Sequence, residues 1–152
     1  MPITKNRLPL LLSLFCACLI YASPSHAELG GTVSKDAIQI QEKFPADATG
    51  QRLNVFQIKL PTGTQIKEYA TTDNIVVGVS WQGPTLPNLK QLLGQHFDTF
   101  AKRPATKDTN HHNVDFFSDD LVVQSYGQIH NFSGRAYLPK MLPVGISADQ
   151  VN

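Results

Sequence analysis

Leu53-Asn54-Val55-Phe56-Gln57-Ile58-Lys59-Leu60, followed by Pro61-Thr62-Gly63-Thr64 and Gln65-Ile66-Lys67-Glu68-Tyr69-Ala70-Thr71, is the stretch that decides the fold. Its first eight residues alternate, with Phe56, Ile58 and Leu60 on one side and Gln57 and Lys59 on the other, which is the period of a half-buried strand. Pro61 fixes one φ and Gly63 permits a positive one, so the chain turns there. Residues 65–71 give a second strand, Thr72-Asp73-Asn74 a second turn, and residues 75–81 a third strand rich in valine. Three strands with such short connections predict an antiparallel meander.

Gly83, Pro84 and Pro87 interrupt the strand pattern, and a helical one replaces it. Leu89, Leu92, Leu93, His96, Phe97 and Phe100 recur at the spacing of one helix face. Asn88 is placed to cap it, with Gln91 three residues on. Gly94 lies inside the stripe at a cost of about 1 kcal/mol against alanine, so burial of the apolar face must hold the helix. Lys102-Arg103-Pro104 ends it.

Residues 105–120 read as a long polar loop with room for an edge strand at 114–117. Residues 121–126 and 128–138 read as a hairpin about Gly127, and Ser147 with Gln150 as the capping box of a short docked turn. Upstream, residues 34–44 read as a short helix capped by Ser34, preceded by an extended Leu29-Gly30-Gly31-Thr32. The resulting expectation is an α+β domain. It has an antiparallel sheet of about five strands, built from the meander and the hairpin, with one amphipathic helix packed on one face.

Residues 1–27 speak about destination. Lys5 and Arg7 precede an almost purely apolar run over residues 8–22, and Ser23-Pro24-Ser25-His26-Ala27 is short and polar with small residues at the positions a signal peptidase requires. The apolar run is shorter than the roughly 20 residues that a spanning helix needs. The expected organisation is a secretory signal peptide at 1–27 cut between Ala27 and Glu28, a flexible segment at 28–52, and a single domain at 53–152. Both cysteines, Cys16 and Cys18, leave with the leader, so no disulfide scaffold is expected. Cys18 lies within the apolar run rather than at its end, which does not suit a lipidation site.

The chain has 13 Lys and Arg against 12 Asp and Glu, evenly mixed. Such a surface carries no electrostatic footprint for nucleic acid or anionic lipid, and no membrane span is expected once the leader is gone. His111-His112 and the nearby Asp108, Asp115, Asp119 and Asp120 match no ligand spacing of a metal site, so neither metal nor cofactor is expected. Asp119-Asp120 reads as turn chemistry. No reactive constellation or glycine-rich phosphate loop occurs, and no catalytic residue is assigned. Five residues remain as candidates for a binding surface. Glu68 shares a strand face with Ile66 and Ala70, and would need a partner such as His130 or Arg135 if that face is buried. His130 shares a face with Phe132, Gly134, Ala136 and Leu138, while Arg135 and Tyr137 lie side by side on the other. Trp81 shares parity with Val77 and Val79 and reads as a core anchor.

Several blocks carry a resemblance. They are Leu29-Gly30-Gly31, Gly63-Thr64 with Lys67-Glu68-Tyr69, Val79-Ser80-Trp81-Gln82-Gly83-Pro84 leading to Pro87-Asn88-Leu89, Ser118-Asp119-Asp120-Leu121, and Gly134-Arg135-Ala136-Tyr137-Leu138-Pro139 with Leu142-Pro143. Together they resemble an uncharacterised family of exported proteobacterial proteins known as a domain of unknown function. The resemblance implies export and a single domain, and brings no activity or site residue. The expectation is therefore a bacterial periplasmic or secreted protein, a non-enzymatic binding or structural domain of the cell envelope. It would meet a protein or envelope partner through its sheet face or the loop at 82–87. Two alternatives stand beside it: a small hydrolase-type enzyme using Glu68, His130 and Arg135, and a cystatin-like inhibitor presenting hairpin loops to a protease.

Cleavage after Ala27 gives a product that begins Glu28-Leu29-Gly30. Intact-mass measurement and N-terminal sequencing of protein recovered from the natural cell check this; an intact Met1 terminus would contradict it.

Overall fold

The structure is a computed structural model that describes residues 28–40, 52–103 and 113–152. The expected leader at 1–27, the end of the expected helix at 34–44, and the His111-His112 pair lie outside the described residues. Seven strands form one antiparallel sheet: β1 (Ile38–Ile40), β2 (Asn54–Lys59), β3 (Gln65–Ala70), β4 (Val76–Gly83), β5 (Val114–Phe117), β6 (Val122–Gln128) and β7 (Asn131–Tyr137). Their spatial order is β1-β2-β3-β4-β7-β6-β5. The meander and the hairpin are both present, joined through the β4–β7 pair, and the architecture is α+β-like. Two further strands raise the count above the expected five. β5 is the edge strand anticipated at 114–117. β1 replaces the expected helix, since Ile38 and Ile40 pair with Gln57 and Val55 of β2; β-branched residues suit that pairing better than a helix.

The helix is short and broken. Asn88 caps it, its Oδ1 accepting from Gln91 N at 3.3 Å. α1 (Leu89–Leu93) then gives way to a 3-10 turn at Gly94–His96 before α2 (Phe97–Ala101). The cause is local. Gly94 takes φ +50°, and a Cβ there would lie 2.1 Å from the Glu28 side chain. Leu29 N donates to Leu92 O at 2.9 Å, so the segment from Glu28 to Gly31 passes at the break. That segment is tied into the fold and does not hang free of it. Leu29 is fully buried, and Gly30 N and Gly31 O bond to Val76 O and N.

The two sheet faces have different covers. On the first, Ile66, Val79, Trp81, Val123 and Ala136 pack against Leu92, Leu93 and Phe100 of the helical segment and against Leu29. On the second, Val55, Tyr69, Val77, Val122 and Tyr137 pack against Ile146 and Val151 of the C-terminal segment. The expected common parity of Val77, Val79 and Trp81 fails at one residue. A bulge between Tyr69 and Ala70 makes Val77 an extra residue and turns it to the second face. The capping box is formed, Ser147 N donating to Gln150 Oε1 at 3.0 Å, and it starts the turn that seats Val151 over Gly78.

Trp81 and Gly134 are opposite each other in the β4–β7 register. A Cβ at Gly134 would lie 2.3 Å from Trp81 Cζ2 and 2.5 Å from the Gln124 carbonyl oxygen, so the indole fills the place a side chain would take. Gly134 has no positive φ, and only space constrains it. Gly134→Ala is therefore expected to lower stability by about 1–3 kcal/mol through overpacking. Urea unfolding measures it, and an unchanged midpoint would show that the indole gives way freely.

Candidate functional site

The antiparallel register sorts the second face into rows of side chains that run across the strands. One row is Val55, Tyr69, Gly78, Tyr137, Val122 and Phe117; most of it is apolar and lies under the C-terminal segment. The next row, two residues along each strand, is Gln57, Lys67, Ser80, Arg135, Gln124 and Asp115. A third is Lys59, Gln65, Gln82, Ser133 and Tyr126. Apart from Ile38 of β1, which lies opposite Gln57, no side chain in these two rows is aliphatic, and the third row is largely exposed. The face is thus half core and half polar surface.

The polar half is internally organised around Arg135 and Tyr126. Arg135 Nε donates to Gln124 Oε1 at 2.8 Å and its NH1 donates to Ala148 O at 2.9 Å. Its NH2 lies 3.7 Å from the exposed Asp149 carboxylate. Gln124 Nε2 in turn donates to Asp115 Oδ1 at 3.1 Å and to the Tyr126 hydroxyl at 3.2 Å, and that hydroxyl donates to Asp115 at 2.7 Å. The bond to Asp115 raises the Tyr126 phenol above its usual range, so it stays neutral. On the other side of Arg135, the Tyr69 hydroxyl meets Ser80 Oγ at 3.4 Å and the main chain of Asn152, to which Lys67 Nζ also donates.

Two recesses open in this surface. The smaller, about 280 Å³, has its base at Trp81 and Gly134 and its walls at Gln124, Arg135 and Asn152. The larger, about 780 Å³, extends toward the β6–β7 turn past Asn113, Gln128 and Asn131. Tyr126 and Ser133 line both, so the two adjoin.

The five candidate residues are divided among three places. Arg135 and Tyr137 are neighbours on the second face, the guanidinium carbon 6.0 Å from the phenol ring centre; Tyr137 is largely covered and Arg135 borders the smaller recess. Trp81 is 2 % exposed and its side chain belongs to the helix-side core. His130 is not on an apolar strand face. β6 runs on to Gln128, the turn falls at Ile129 and His130, and His130 takes φ +65° in solvent. Glu68 is fully buried on the first face, and its partner is neither His130 nor Arg135. Ser34 N donates to its Oε2 at 3.0 Å, while Oε1 and the Ser34 hydroxyl make no hydrogen bond. Glu68, His130 and Arg135 therefore do not converge, and the acid–base constellation the hydrolase alternative needs is absent. Asp119 and Asp120 are exposed in a turn, with Asp120 held by Lys140 at 2.7 Å. Among the described residues no group of three His, Cys, Asp or Glu could hold a metal ion, and no helix is long and apolar enough to cross a membrane.

The residues that sequence reading passed over are Asp115, Gln124, Tyr126 and Ser133. Their signal is parity: in three adjacent strands the alternate positions beyond the row of Phe117, Val122 and Tyr137 are polar where a covered face would be apolar. It becomes visible only once β5, β6 and β7 are in register.

Burial pushes the Glu68 carboxyl above the ordinary range, the proximity of Ser34 opposing this in part. The native state then holds its proton to higher pH than the unfolded chain does. Stability from this group is fully present below the unfolded-state range and is lost as pH rises through the raised value. Glu68→Gln is expected to be at least as stable as the wild type at pH 7, with the advantage vanishing near pH 4. Urea unfolding at the two pH values decides it, and a variant less stable at pH 7 would show that the charge is needed.

No curated protein and no solved structure matches the chain. A family described as protein of unknown function (DUF2844) matches it over residues 25–151, and the chain belongs to that family.

Proposed function

We propose that this protein is an exported envelope protein whose polar half-face is its binding surface, and that it acts by holding a partner or envelope component rather than by catalysis. One observation carries the reading. Among the described residues, the C-terminal segment covers one half of the second face and no segment covers the other, which carries adjoining recesses and side chains already oriented by hydrogen bonds. Hydrogen bonds among Asp115, Tyr126, Gln124 and Arg135 at the surface contribute little net stability, about 1 kcal/mol each at most, because water competes for the same groups. Their effect is to fix rotamers in advance, which lowers the ordering cost of association.

Export rests on the leader: a basic start, an apolar run too short to span, and small residues at the cut. The family match starts at residue 25, beside that cut, which supports reading the segment before it as separate from the domain. Fractionation of cells carrying the full chain tests both halves of the proposal. The wild type is expected to sediment with washed envelope material. Ser133→Trp, which places a bulky ring where the two recesses join, is expected to release about tenfold more into the soluble fraction at an unchanged melting temperature. Equal partitioning of the two proteins, or retention of the wild type in the cytosol, would overturn the proposal.

A further inference from the structure

Among the described residues three buried side-chain atoms lack a hydrogen bond: Glu68 Oε1, Ser34 Oγ and Trp81 Nε1. The first two belong to residues already in contact, since Ser34 N donates to Glu68 Oε2 at 3.0 Å. An ionised carboxyl can accept about four hydrogen bonds, and one donor in a fully buried place leaves it short. A neutral carboxyl suits the same place. Oε2 accepts from Ser34 N, and a proton on Oε1 can be donated to the Ser34 hydroxyl beside it.

Ser34 ends a segment, residues 29–34, that lies outside the helices and strands and is held along its length by main-chain bonds. Leu29 N donates to Leu92 O at 2.9 Å, Gly30 N to Val76 O at 2.8 Å, Val76 N to Gly31 O at 2.9 Å, and Val33 N to Asn74 O at 3.2 Å. These bonds do not change with pH. The bond from Ser34 ends instead on a titratable side chain. Thr32, Lys35 and Asp36 are exposed, so the segment has water on its outer side.

The surroundings of Glu68 are otherwise uncharged. β2 and β4 set Phe56 and Val79 opposite it, Ile66 and Ala70 flank it on β3, and the helical segment brings Leu92, Leu93 and Phe100 to that face. From residues 29–34 only Ser34 reaches it, and among the described residues no charged group acts on the carboxyl. Glu28 lies at the other end of the segment, against Gly94.

We propose that residues 29–34 are a strap that opens as a unit while the sheet stays folded, latched at Ser34 by the protonated Glu68 carboxyl and released when that carboxyl ionises. Closing the strap shuts water away from Glu68, and opening readmits it. An ionised carboxylate gains far more from water than a neutral one does, so ionisation favours the open form. The closed form holds the proton more tightly than the open form. Closure is therefore fully supported below the ordinary carboxylate range, loses support as pH rises through the raised value, and levels off above it. Opening uncovers Leu92 and the main chain at Asn74 and Val76, on the helix side of the sheet. The strap is thus independent of the polar half-face and of the binding reading.

The test is hydrogen exchange of individual amides in protein isolated from cells expressing the full chain, near pH 4 and at pH 7, in a series of low urea concentrations. The amides of Leu29, Gly30, Val33 and Ser34 are expected to share one opening equilibrium. It should be less protected than the amides of β4 and β7 and depend less steeply on urea, because less surface is exposed. After correction for intrinsic exchange, that opening is expected to be about tenfold more populated at pH 7 than near pH 4, and equally populated at both in Glu68→Gln. His96 is the other titratable side chain beside the strap, its Nε2 3.3 Å from where a Cβ of Gly30 would be. A pH dependence that survives in Glu68→Gln would pass to His96 and overturn the latch. Strap amides that exchange only with global unfolding of the sheet, or an opening that ignores pH, would overturn it too. Wild-type protein alone decides these last two outcomes, so a misfolded Glu68→Gln leaves the proposal open to refutation.

Discussion

From Val76 to Trp81 the central strand β4 is buried on both of its sides, and that requirement shapes the rest of the molecule. A strand that is apolar on both faces needs two covering layers. The short helical segment at 89–101, the one that packs on the sheet among the described residues, cannot supply both. The helical segment and the chain around Leu29 cover one face, and the C-terminal segment ending at Val151 covers the other. Each cover reaches only as far as its side chains do. Ile146 and Val151 extend over the row of Val55, Tyr69, Tyr137 and Val122 and stop, and the next row changes from aliphatic to polar there. The boundary of the polar surface thus follows the residues that Ile146 and Val151 reach.

The bulge at Val77 makes this division workable. Without an extra residue, Val77 would share the side of Val79 and Trp81. Val76 would then turn to the second face beside Gly78, whereas the bulge gives Val76 to the first core and Val77 to the second. With it, Val77 packs there, and Gly78 provides the gap in which Val151 sits, 3.1 Å from where a Cβ would be. Losing one such contact from a well-packed cluster costs about 1–3 kcal/mol, a large share of the stability of a domain this size. The same device explains why simple alternation misassigns one valine in a strand it otherwise reads correctly.

How much of this was legible follows from which forces act locally. The meander, the hairpin, the Asn88 cap and the Ser147–Gln150 box all depend on residues close in sequence, and each is present. The parity of β7 was also readable, placing Phe132, Gly134, Ala136 and Leu138 opposite Asn131, Ser133, Arg135 and Tyr137. What was not legible depends on distant partners. β1 exists because β2 offers it an edge, the helix breaks because Glu28 arrives beside Gly94, and His130 leaves its expected face because the turn falls two residues beyond Gly127. Glu68 could be recognised as a carboxylate on an apolar face, but not that Ser34, on a segment read as helical, would bring it a backbone donor. Of the site, Arg135 and Tyr137 were visible as a pair. The amides around them looked like ordinary solvent-facing positions until the register aligned them.

Glu68 and Arg135 show how similar ingredients lead to opposite roles. Both are charged groups on strands flanking β4, one on each side of it. Glu68 lies on the covered face with one oxygen unpartnered, where desolvation dominates and a protonated, neutral form is favoured. Arg135 lies where the tail ends, and its charge is shared among an amide, a carbonyl and an exposed carboxylate while water still reaches it. A guanidinium so engaged is a poor anion receptor and a good strut, because moving it would break two short hydrogen bonds at once. It fixes Gln124, Gln124 shares Asp115 with Tyr126, and the ring of Tyr126 is thereby held upright at the mouth of both recesses. The order of that surface is transmitted sideways through side chains from the edge of the core, so the open half of the face is as structured as the covered half without being part of what keeps the domain folded.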